Sequence, residues 1–253
     1  MLKRSSNRAG AQGEKPPAIS ITFSGIDGAG KSTQIDLLCA DVVGAGGRVH
    51  RLSFWEDVVI FPRLREYSSH RLFKGEKGVG SPDRPIARRD KNVSSWYLTP
   101  IRLFLYLLDA LHLHVVLRRK VSPDADAVIF DRYIYDELAN LRLPNPWVRM
   151  CVRLLLMLAP TPDLAYLLDA DPAQAVGRKP EYPLDFLYSN RQNYLALSKL
   201  GTGIKIIAPG SVAEVREEVL EHLLRFRAMK LRCPPSVTFP SAPPAANSRT
   251  PLL

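Results

Sequence analysis

The 253-residue sequence has little cysteine and none of it is paired. Cys39, Cys151 and Cys233 show neither disulfide nor metal-finger spacing, which excludes a disulfide scaffold and a zinc module. Cys39 and Cys151 fall inside helical patterns, so the expectation is buried free thiols in a reducing cytoplasm. Long hydrophobic runs are missing too. Leu103–Leu117 is interrupted by Asp109, His112 and His114, and Met150–Ala159 by Arg153, so neither reads as a spanning helix. Residues 1–17 hold no apolar run for a signal peptide and no amphipathic stripe for a transit peptide. There is no internal repeat and no dinucleotide-binding glycine fingerprint. What is present is globular: 46% hydrophobic and 24% charged residues exclude a disordered or fibrous chain.

The formal net charge is +10, and its placement matters more than its size. Residues 1–17 carry +3, residues 225–253 carry +5, and the stretch between them only +2. That balance predicts no nucleic-acid surface on the folded domain. Within the middle, residues 63–91 hold nine Lys/Arg against four Asp/Glu, a local positive field suited to an anionic small ligand or a basic loop. The two ends read as disordered: 1–17 is basic and ends in Pro16-Pro17, and 233–253 contains six prolines among serines and alanines. Neither can bury enough apolar surface to offset chain entropy. The domain is therefore expected over 18–232.

Strand-like and helix-like runs alternate across it. Strands are expected at Ala18–Ser24, Arg48–Phe54, Asp126–Asp131, Asp163–Asp169 and Gly203–Ala208. Helices are expected at Lys31–Val43, Thr99–Leu117, Asn145–Leu158, a short one from Pro172, Leu187–Leu200 and Val212–Ala228. The Thr99–Leu117 helix is apolar nearly all round and reads as central and buried; Trp96, Trp147 and the Leu/Met run at 154–158 read as core. Right-handed crossovers between such strands give an α/β fold, a five-stranded mostly parallel sheet with helices on both faces.

Gly25-Ile26-Asp27-Gly28-Ala29-Gly30-Lys31-Ser32 satisfies the whole phosphate-loop pattern, between a strand and a helix. Glycines let backbone N–H groups turn inward around a phosphate, and the helix N-terminus adds positive potential. Gly25, Asp27, Gly28, Ala29, Gly30, Lys31, Ser32 and Thr33 are the candidate ATP-binding residues. Lys31 reaches the β- and γ-phosphates, and Ser32 is a candidate Mg²⁺ ligand. Asp131-Arg132-Tyr133 closes the third strand, where ligands of open parallel sheets bind. Asp131 is the second candidate for Mg²⁺ and Arg132 the candidate phosphate holder. His112 and His114, without a Cys/His cluster, read as hydrogen-bonded structural histidines. Arg149 and Arg153, four apart, read as a solvated helix face.

Taken together, Ser24–Gln34, Asp131-Arg132-Tyr133, the run at 162–178, the RQNYLAL run at 191–197 and Ile206–Val215 resemble thymidylate kinases over about residues 18–224. The resemblance implies a P-loop NTPase fold, ATP as donor with Mg²⁺, and transfer of the γ-phosphoryl group to a nucleoside monophosphate. It places Asp27 near the acceptor sugar. No arginine follows Asp27, and family members of that kind supply one from the lid. Arg178, Lys179 and Arg191 are the candidates here, with Arg178 favoured. The catalytic set is then Lys31, Asp27, Arg132 and Arg178. A small phosphate acceptor, a nucleotide, is the other expected partner. Neither nucleic acid nor membrane is expected, a homodimer is allowed, and the location is cytoplasmic.

Three positions depart from that pattern. Phe54-Trp55-Glu56-Asp57 stands where the family carries an arginine-containing turn, Ala110 where it carries arginine, and Asp136-Glu137-Leu138 where it places Ser/Thr and Gln. All three belong to the acceptor side. Arg102, Arg142 or the basic 63–91 segment are the candidates to restore positive charge, and arginine at Ala110 should improve thymidylate use if that face points into the site. Two alternatives follow: a kinase of another small acceptor, nucleoside or monophosphate, or an ATP-dependent switch that is no kinase.

Overall fold

The computed structural model describes residues 17–62, 65 and 98–232. The two terminal tails, apart from Pro17, lie outside them, as do Trp96, Cys233 and the basic 63–91 segment except Arg65.

Five strands form one parallel sheet: β1 (Ile19–Ser24), β2 (Val49–Ser53), β3 (Ala127–Asp131), β4 (Leu164–Leu168) and β5 (Ile204–Ile207), in the order β2-β3-β1-β4-β5. The seven helices among the described residues are α1 (Lys31–Gly44), α2 (Leu98–Arg119), α3 (Ile134–Leu138), α4 (Pro146–Leu158), α5 (Pro172–Arg178), α6 (Leu184–Ser198) and α7 (Val212–Arg232). Alternate residues of each strand feed two cores. Ile19, Ile21 and Phe23 of β1 face α1 and α7, with Ile35, Leu38 and Leu223. On the other face Val128, Phe130 and Leu167 pack with α2, α4 and α6 through Leu113, Val152 and Leu197. The winding changes direction beside β1, so the carboxyl ends of β1, β3 and β4 open on one crevice.

The expected strands and helices are all present within a few residues. Local chemistry explains the helix starts. Asn145 caps α4, its side chain accepting from the backbone of Trp147 at 2.9 Å, and Pro146 follows at the first helical position. Asp171 and Pro172 repeat that arrangement for α5. Two short elements are unexpected. Phe54–Val58 makes one π-helical turn after β2, shortening the expected strand, and α3 forms directly after Arg132. Asp136 reaches back to the Tyr133 backbone N–H at 3.0 Å, closing the first turn of α3.

Burial corrects three expectations. Helix α2 is not enclosed. Leu103, Tyr106, Ala110, Leu113 and Val116 pack inward, but Ile101, Phe104, Leu111 and Val115 are exposed. By length and composition alone α2 is long and apolar enough to cross a membrane. Uniform apolarity hid the side on which the packing ends. Trp147, Leu154, Met157 and Leu158 are likewise exposed on α4, with Val148, Val152 and Leu155 carrying its core contacts. Cys39 and Cys151 are free but half-buried, and burial pushes the Cys39 thiol up.

Candidate active site

Strand β1 ends at Ser24 and the chain turns through the glycine loop into α1. The loop requires glycine at two points. Gly25 has φ +144°, and a Cβ there would lie 2.6 Å from the Leu168 carbonyl oxygen of β4. Gly28 has φ +85°, and its Cβ would lie 2.5 Å from the Ala175 carbonyl oxygen of α5. A side chain at 28 is thus excluded by the helix that ends in Arg178. Gly30, at φ +88°, is the N-cap of α1, whose first N–H groups have no partner within the helix.

A pocket of 860 Å³ covers this loop. It is lined by 27–34, Asp131 and Arg132, Leu168–Asp171, Gln174, Arg178 and Lys179, and the turn after β5 at 207–210 with Val212 and Val215. Of the sequence candidates, Asp27, Gly28, Ala29, Gly30, Lys31, Ser32, Thr33, Asp131, Arg132 and Arg178 all line it; Gly25 sits behind it. Lys31 is 6% exposed, and its ammonium donates to the carbonyls of Gly25 at 2.7 Å and Ile26 at 2.8 Å. Lys179 lines the pocket and pairs with Glu181 at 3.0 Å. Arg191 does not line it. Both its arms hold Asp169, at 2.6 Å each, and that hydrogen bond raises its pKa. Arg191 therefore braces Asp169 of the pocket wall, while Arg178 lines the cavity. Arg102 and Arg142 are not among the lining residues.

Ser32 and Asp131 fit Mg²⁺ in kind. Both offer hard oxygen, both line the pocket, and Asp131 is also approached by Arg51 at 3.5 Å. No cluster of three or more His, Cys, Asp or Glu exists among the described residues. Mg²⁺ held by one or two protein oxygens plus substrate phosphates needs none. His112 and His114 bond the Val58 and Leu158 carbonyls at 2.6 and 2.8 Å, structural histidines as expected.

Arg132 stands at φ +69°, a left-handed conformation that is uncommon for a side chain of this size. Its N–H is held by the Phe23 carbonyl at 3.1 Å. This bend turns its guanidinium toward the glycine loop, where one arm bonds Asp27 and the other reaches Asp136 at 3.4 Å. Burial works against the guanidinium charge, but the carboxylates of Asp27 and Asp136 more than offset it and raise its pKa. Asp136 also accepts from Ser24 Oγ at 2.6 Å and Tyr194 OH at 2.8 Å. Burial, then Asp136, pushes the Tyr194 phenol well up.

A second ionic group lies behind. Asp109 is fully buried, accepts from the Ile60 N–H at 2.8 Å, and takes both arms of Arg65 at 2.7 and 2.9 Å. Arg65 also meets Glu137 at 3.0 Å. Burial, then the Asp109 carboxyl, holds the Glu137 carboxyl well above the usual carboxylate range, with Arg65 pulling the other way. Ala110 is completely buried in the α2–α4 core. The expectation for arginine at that position therefore fails: the face points into apolar packing. Sequence reasoning held Arg65 only as one of the basic 63–91 segment and Tyr194 only as one of the 191–197 run, and missed the role of Asp136. The acidic pair 136–137 amid apolar residues was the available signal for the last.

No protein-family model matches the chain. Thymidylate kinase of Solidesulfovibrio magneticus is 30% identical over 162 residues, 62% of this chain and 67% of that protein. A probable thymidylate kinase of Sulfolobus acidocaldarius is 26% identical over 213 residues, covering 78% and 92%. Among solved structures, thymidylate kinase of Candida albicans matches 83% of this chain and 92% of its own at TM-score 0.56 and 16% identity. That of Ehrlichia chaffeensis matches 83% and 100% at TM-score 0.50 and 21% identity. At such identities the structural matches establish the fold.

Proposed function

The chain belongs to the thymidylate kinase family, and from that premise we propose that it transfers the γ-phosphoryl group of ATP to a nucleoside monophosphate, thymidylate in the first instance. One observation carries the reading: the Arg132 contact with Asp27 brings the Asp-Arg-Tyr motif and the phosphate loop into one pocket. The donor triphosphate lies along residues 28–33, its β-phosphate on the loop N–H groups and the α1 N-terminus. Lys31 leaves the loop carbonyls for the β- and γ-phosphates. The adenine end extends toward the 207–215 turn. Ser32 and Asp131 hold Mg²⁺, which neutralises charge on the donor phosphates.

Arg132 meets the acceptor phosphate, whose oxygen attacks the γ-phosphorus. The bond from that phosphorus to the β-γ bridging oxygen breaks, leaving ADP and a nucleoside diphosphate. Arg178 neutralises charge on the phosphoryl group in flight. Catalysis by such groups is positioning and charge neutralisation, with little covalent chemistry. Location in the cytoplasm suits the ATP requirement.

ADP release measured across nucleoside and nucleotide acceptors tests the reading. Release stimulated by monophosphates supports it. Stimulation by nucleosides alone indicates the other kinase, and hydrolysis indifferent to every acceptor indicates the switch.

The exposed residues Ile101, Phe104, Leu111 and Val115, with half-buried Leu108, follow the three-four spacing of a helix–helix seam. Two charged residues stand between them in the chain, half-buried Arg102 and buried Asp109. We infer that α2 packs against α2 of a second copy. Sedimentation of the native protein as a dimer, and of Phe104→Glu as a monomer, is the expected result; a monomeric native protein refutes it.

A further inference from the structure

Phosphoryl transfer employs Asp27, Lys31 and Arg132 and leaves Asp136 without a task, although it is well supported. Asp136 is 4% exposed, and four donors point at it: Ser24 Oγ at 2.6 Å, Tyr194 OH at 2.8 Å, the Tyr133 N–H at 3.0 Å and Arg132 at 3.4 Å. It therefore ties β1, α6 and the β3–α3 turn to one guanidinium. A serine or asparagine would satisfy local capping, but only a carboxylate places a second negative charge on Arg132. Arg132 is the cation of this trio, its side chain 17% exposed and lining the pocket beside Asp27. One guanidinium between two carboxylates leaves a net charge of −1. A pair without Asp136 would be neutral.

We propose that Asp136 sets the charge preference of the acceptor side. By sharing Arg132 with Asp27 it weakens the hold on a doubly charged acceptor phosphate, so a nucleoside monophosphate gains little affinity over its uncharged nucleoside. This rests on the phosphotransferase reading, in which Arg132 meets the acceptor. Asp136 acts through Arg132 and is a positioning residue.

Two measurements test it. In calorimetry on the native protein, thymidine monophosphate should bind less than about tenfold more tightly than thymidine, since the two carboxylates offset the attraction of the one guanidinium for a phosphate. Binding of the monophosphate more than a hundredfold tighter overturns the proposal. Asp136→Asn and Asp136→Ser each remove one negative charge. In whichever variant melts cooperatively, KM for thymidine monophosphate should fall about tenfold while affinity for thymidine stays within about twofold. An unchanged or higher KM, or a fall in kcat alone, overturns it: a purely structural role would not sharpen selectivity for phosphate. The binding ratio needs no turnover. Absent acceptor-dependent ADP release would thus count against the phosphotransferase reading, while the ratio still decides the role of Asp136.

Discussion

The two halves of this site are built from different materials. On the donor side, a contiguous stretch of backbone does the shaping: Gly25 and Gly28 accept close carbonyls, and α1 begins immediately behind. On the other side, side chains from distant segments share a few charges. Asp27, Arg132, Asp136 and Tyr194 form one group, and Arg65, Asp109 and Glu137 another. A backbone cradle takes its shape from close backbone contacts rather than from shared charges. A buried ionic group is part of the core, and each member is answerable to stability as well as to ligand.

That contrast can be broken most forcefully at Arg65. Arg65→Met leaves two carboxyls, 0% and 1% exposed at the side chain, without their shared cation. Removing one partner of a buried ion group costs about 3–5 kcal/mol. The denaturation midpoint should drop accordingly; an unchanged midpoint would mean the group contributes nothing to folding. Lys31→Ala sharpens the contrast from the other side. Loss of one preorganised transition-state contact costs about 3–4 kcal/mol in the barrier. Activity should collapse while the melting temperature holds, because the loop is shaped by its glycines. Normal turnover in this variant would refute the enzyme assignment.

The smallest effect is the most diagnostic of the ionic side. Glu137 has its pKa raised in the folded state, by burial and then by Asp109. The folded protein therefore holds a proton that the unfolded chain releases above the ordinary value of 4.5. Stability from this group is fully present below that value and declines as pH rises toward the folded pKa. Glu137→Gln cannot lose a proton there. Its melting temperature should fall less than that of the native protein between about pH 5 and pH 8. Parallel pH profiles would show that Glu137 does not titrate in this interval.

Legibility follows the same division. The phosphate loop, Asp131-Arg132 and the sheet's alternating pattern were readable because each depends on neighbours within a few residues. Helix α3 was not, since its first turn is closed by Asp136, a residue whose other bonds go to Ser24 and Tyr194. The exposed stripes of α2 and α4 escaped notice because apolar residues occupy both their buried and their open faces. Ala110 stands in α2 where the family carries arginine, and a guanidinium instead reaches neighbouring Asp109 from position 65.

What the sequence determined by itself was therefore local: which strand ends in a glycine turn, which helix starts there, and that Lys31, Ser32 and Asp131 meet at that turn. Tertiary structure alone decided how charge is shared. Asp136 and Tyr194 lie 58 positions apart and Ser24 another 112 before Asp136; Arg65 and Asp109 are separated by 44. Spacing along the chain carries no information about such contacts. They exist because the crossovers of a parallel sheet bring strand ends and helix starts to one edge. A charge buried there needs a partner from whichever segment the fold delivers.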